Sequence, residues 1–92
     1  MNELPAPPEA TNNPGALELA RVWFIGDALH CTLQADVFED HGSWGAVLAD
    51  LSRHVAHALS PQDPLATGQI LEAIRRAFEE ELSRPDSDAE GP

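Results

Sequence analysis

The sequence predicts an α+β fold, a β-hairpin followed by two amphipathic α-helices, with a small sheet left open to completion across a homodimer. Three observations predict it. An aromatic and aliphatic run from Leu17 to Ile25 is broken by Gly26-Asp27, and alternation of apolar and polar residues resumes from Ala28 to Gln34. Apolar residues then recur at three- and four-residue steps from Trp44 to Leu59. Finally, Asp63-Pro64 opens a second stretch of that kind, which stops before Pro85.

The 92 residues leave room for one domain. Residues 1–16 contain four prolines (Pro5, Pro7, Pro8, Pro14) and few large apolar side chains, a composition that buries too little to offset ordering entropy. They are expected to form a disordered leader. Residues 85–92, acidic and bounded by prolines, are expected to be a disordered tail, and 17–84 the single α+β domain.

In the hairpin, glycine comes first in the two-residue turn, as type II′ prefers. That turn opposes Ile25 to Ala28, Phe24 to Leu29, Trp23 to His30, Val22 to Cys31 and Ala20 to Leu33. Side chains alternate between faces along a strand. One face then carries Phe24, Leu29, Val22, Cys31, Ala20 and Leu33, and the other Trp23, His30, Arg21, Thr32, Leu19 and Gln34. The all-apolar set is expected to form the core, and a one-residue slip would mix the two sets.

For the first long helix, Asp40 or Ser43 is a candidate cap, and Trp44, Val47, Leu48, Leu51, Val55, Ala58 and Leu59 form its apolar stripe. Pro61 ends it. The second begins with Asp63 as cap and Pro64 in the first helical position, and its stripe is Ile70, Leu71, Ile74, Ala77, Phe78 and Leu82. Glu72 with Arg76, and Arg75 with Glu79, stand four residues apart on its outer face.

Charge narrows the partners. Sixteen acidic residues face five basic ones, all arginine, for a net charge of −11. Phosphate backbones and anionic membranes select for a basic patch, so neither nucleic acid nor membrane is an expected partner. With one cysteine, no intramolecular disulfide forms, which together with the lack of a signal-peptide pattern or a long apolar run points to the cytoplasm.

No catalytic constellation emerges, and no cofactor is expected. His30 and Cys31 are neighbours on a strand and point to opposite faces, so they form no nucleophile and base pair. Gly42, Gly45 and Gly68 lack phosphate-loop spacing, and lysine is absent. Gly45 inside a helix suggests close approach of a neighbouring backbone. Asp50, His54 and His57 share one helix face and are weak metal candidates, although a solvated face explains them more simply. Trp23 lies on the outer sheet face beside Arg21 and His30, and with Leu19, Ile25 and Thr32 it makes up the candidate interface, packing by the leader or a loop being the other reading of Trp23.

The run Glu18-Leu19-Ala20-Arg21-Val22-Trp23, together with Trp44-Gly45 and Leu48-Ala49-Asp50-Leu51 through Arg53-His54-Val55-Ala56, resembles a small bacterial family of uncharacterised proteins over residues 17–82. The family pattern carries Pro directly after the helix-capping Asp, where this chain has His41. The resemblance implies a bacterial, cytoplasmic protein and transfers no site.

The expected function is that of a noncatalytic, homodimeric protein-interaction module. A two-stranded sheet is marginal alone and both its edges carry unpaired backbone groups, so a second subunit is expected to extend or cover it. The alternatives are an acidic adaptor or inhibitor of a basic protein, and a small-molecule or metal-binding protein using the Asp50, His54 and His57 face.

Overall fold

The computed structural model describes residues 3–84, and the expected tail at 85–92 lies outside the described residues. The chain divides into two units, Met1–Glu39 and Asp40–Pro92.

The first unit holds a four-residue helix α1 (Pro8–Thr11) and an antiparallel hairpin, β1 (Ala20–Ile25) with β2 (Ala28–Leu33). The strands pair Ala20 with Leu33, Arg21 with Thr32, Val22 with Cys31, Trp23 with His30, Phe24 with Leu29 and Ile25 with Ala28, the register that alternation requires. Gly26 sits at φ +66°, and no non-glycine residue among those described has positive φ. Positive φ at the first turn position alone is the type II′ arrangement, whose twist matches that of the strands. The ladder continues one pair beyond the strands, the Gln34 N–H donating to the Leu19 carbonyl at 2.9 Å. A short 3-10 turn, Ala35–Val37, follows.

The leader is partly helical where disorder was expected. Pro7 has φ −67° and ψ 152°, the extended conformation its ring favours, and Pro8 then takes the first helical position, where its missing N–H costs nothing. Thr11 Oγ1 donates to the Pro8 carbonyl at 3.1 Å, and the Asn13 side-chain oxygen accepts from the Gly15 N–H at 2.8 Å.

The second unit is a pair of helices, α2 (Gly42–Leu59) and α3 (Pro64–Ser83). Asp63 caps α3 as expected, its Oδ1 accepting from the N–H groups of Leu65 and Ala66 at 3.1 and 3.3 Å. The start of α2 differs from expectation. The cap position falls on His41 and makes no side-chain bond; Asp40, one residue earlier, instead accepts from the Gly42 N–H at 3.0 Å. At the corner between the helices the Thr67 hydroxyl lies 2.6 Å from the Ser60 carbonyl and 3.0 Å from that of Asp63, which ties the connection to the first turn of α3.

Ala56 is fully buried, and it alone among the described residues. On α2 it lies on the side carrying Gly45, Ala49 and Ser52, about a third of a turn from the middle of the Leu48, Leu51, Val55 stripe at 100° per residue. Small side chains let two helices approach closely, and the buried residue of α2 is the small Ala56, while Ile70, Leu71 and Ile74 of α3 are half-buried. Of the larger stripe of α2, Trp44 and Val47 are half-buried and the rest stays open: Leu51 is 56% exposed and Leu59 68%. Gly45 has no close neighbour, since a Cβ built there would meet nothing within 4 Å, so the close backbone approach expected at this position is absent.

Candidate functional site

Burial on the hairpin departs from what alternation suggested. The apolar face expected as core is open to solvent: Phe24 is 77% exposed and Leu29 63%, with Val22, Leu33 and Cys31 exposed as well. The reading of Cys31 as a buried thiol is therefore corrected. The physical reason is that a two-stranded hairpin needs a second layer on its apolar side, and its own unit supplies one only on the other side.

That other side carries the leader. A groove of about 910 Å³ is lined by Leu4, Pro5, Pro7 and Ala10 of the leader and by Leu17, Arg21 and Trp23. Trp23 and Ala10 are half-buried there, and Leu19, just before β1, is half-buried too. Arg21 fastens the segment, its Nη1 donating to Glu3 and its Nε to Glu18, each at 2.7 Å. The hydrogen bond to Glu18, then that to Glu3, raises the guanidinium pKa above its ordinary value. Both pairs are about half exposed, and pairs of this kind contribute little to stability but do set orientation. Of the remaining residues of the candidate interface, Ile25, His30 and Thr32 are exposed.

On α2 the candidate ligand face is a solvated one. The His54 ring Nδ1 lies 2.9 Å from the Asp50 carbonyl, which has no proton to offer, so this nitrogen donates. Asp50 also stands 3.5 Å from Arg53 and 3.7 Å from His54. A nitrogen bonded in this way is not free for a metal, and among the described residues no group of three or more His, Cys, Asp or Glu side chains could hold one. Along the helix pair a smaller groove of about 380 Å³ runs between Leu48, Ala49 and Ser52 of α2 and Leu71, Ile74 and Phe78 of α3. Arg75 Nη2 and Nη1 donate to Glu72 at 2.6 Å and Glu79 at 2.8 Å, and the bond from Arg75 holds the Glu72 carboxyl below the ordinary glutamate range.

The sequence profile of a domain of unknown function, DUF5076, matches residues 3–86. The chain belongs to the DUF5076 family. The match reaches back through the leader, in line with the ion pair between Glu3 and Arg21. A solved structure from the photosynthetic bacterium Rhodopseudomonas palustrus, described as a "putative pyruvate dehydrogenase", is 31% identical, with a TM-score of 0.72 over 95% of this chain and 90% of that one. No curated protein matches the sequence. Among the described residues, no helix is long and apolar enough to cross a membrane.

The leader lies against Trp23, the alternative to an interface that the sequence left open there. The signal was Arg21 with Glu18 and Glu3, a cation on a strand with acids on the segment before it.

Proposed function

We propose that this DUF5076 domain is a noncatalytic, homodimeric protein-interaction module of the bacterial cytoplasm. One observation carries the reading: the apolar face of Val22, Phe24, Leu29, Cys31 and Leu33 is open. Contiguous apolar surface of this kind is rare on a monomer and marks an interaction site. The opposite face, around Trp23 and Arg21, is the lesser contributor, because the leader already shares it. The lone exposed thiol suits a reducing compartment.

A dehydrogenase reading, taken from the description of the similar structure, finds no support. Decarboxylating a 2-oxoacid calls for a walled site with convergent polar groups that exclude water. Here a single residue, Ala56, is fully buried among those described, and the polar clusters are exposed ion pairs.

Light scattering coupled to size exclusion, across a dilution series at two salt concentrations, tests the proposal. Two chains of charge −11 repel one another, so an apolar dimer should hold or tighten as salt screens that repulsion. Leu29→Asp, on the apolar face of β2, should weaken it. An acidic adaptor for a basic protein would instead show binding that weakens with salt. A chain that stays monomeric at every concentration and salt sinks the homodimer.

A further inference from the structure

We infer that two copies pair along β2, antiparallel and in a single register, to give a four-stranded sheet with its two-fold axis at Cys31. This rests on the homodimeric reading above and specifies its interface.

The first argument is which backbone groups are unspent. In an antiparallel pair, opposed residues alternate between exchanging both backbone hydrogen bonds and exchanging none. A two-residue turn makes the pair that closes it, Ile25 with Ala28, hydrogen-bonded. The bond from Gln34 N–H to the Leu19 carbonyl lies in the same phase. Ala28, His30 and Thr32 therefore direct their N–H and C=O groups toward β1. Leu29, Cys31 and Leu33 direct theirs outward, and no third strand receives them among the described residues.

The second argument is that the two edges of the hairpin are not alike. Exposed edges in natural proteins are blunted by charge, proline or a covering segment. The β1 side has all of these nearby, with Arg21, its acids Glu3 and Glu18, and the leader lining a groove that includes Ala20 and Val22. Strand β2 reads Ala-Leu-His-Cys-Thr-Leu, six exposed residues with no proline, glycine or formally charged side chain. It is an edge without protection.

The third argument fixes the register. Hydrogen-bonded pairs across the new junction must use the outward residues of both copies. Opposing Cys31 to Cys31 of the second copy also opposes Leu29 to its Leu33 and Leu33 to its Leu29. All three outward residues of each strand are then paired. Registers centred on His30 or Thr32 pair only two of them. Opposed residues in a sheet share a face, so the same register joins the Val22, Phe24, Leu29, Cys31, Leu33 surfaces into one continuous apolar face. The alternative single-step slips would set that face against His30 and Thr32.

Amide hydrogen exchange on the full chain, read by NMR at a concentration where light scattering reports its mass, tests the inference directly. In the dimer, the N–H groups of Leu29, Cys31 and Leu33 should exchange about tenfold or more slowly than in a dilute sample, alongside Ala28, His30 and Thr32. Leu33→Pro removes an outward N–H and spares the ladder to β1, so it should raise the dimer dissociation constant while the hairpin persists. A dimer in which Leu29, Cys31 and Leu33 exchange freely would overturn the β2 junction and leave self-association standing. A monomer would overturn both.

Discussion

The two units satisfy their backbones in opposite ways. Helices α2 and α3 close their hydrogen bonds within themselves, Asp63 caps the second, and Thr67 ties the corner between them. The hairpin closes only half of its bonds, because each strand has one neighbour where it has room for two. Stability in the helical unit is therefore a property of one chain, whereas on the proposed pairing stability in the hairpin depends on what lies beside it, and so on concentration.

The largest effect that could break this contrast is Ala56→Leu. The site has no space, and overpacking costs about 1–3 kcal/mol, so thermal melting followed by helical circular dichroism should shift down while slow exchange at Leu29 and Leu33 is kept. Loss of both together would show that the units do not melt separately. Gly26→Ala should do the reverse. The backbone at φ +66° costs an L-residue about 1–2 kcal/mol, and open space around the position leaves no steric contribution to confuse the result. Its cost should appear in the hairpin amides and grow on dilution.

Asp63→Ala is expected to cost about 1 kcal/mol through the lost cap, to fray the first turn of α3, and to have the same magnitude at every protein concentration. The smallest effect is with pH. Glu72 is held below its ordinary value of 4.5, so its bond with Arg75 stabilises α3 above that pH and is lost as pH falls through the lower folded value. Arg75→Gln should flatten that acid limb of a pH titration of helicity; an unchanged limb would assign it to other carboxylates.

Much of the fold could be read from residues because the signals were local. Gly26-Asp27 fixes the turn, alternation fixes the register, and Asp63-Pro64 marks the start of α3. What escaped was non-local. Strand alternation separates two faces but does not say which is covered, and that depends on the leader, held over Trp23 by Glu3 at a separation of 18 residues. On α2, hydrophobicity pointed to Leu48, Leu51 and Val55 as the buried surface, whereas the fully buried residue is Ala56, which a stripe of large apolar side chains does not reveal.

The position of β2 early in the chain also bears on synthesis. A hairpin closes in about 1–10 μs, whereas a ribosome adds about 5–20 residues per second, so β2 is complete for seconds while residues 34–92 are still being made. During that interval its bare edge is available to other nascent chains on the same message. On the proposed pairing, assembly can then begin on the polysome, where the local supply of identical strands is highest.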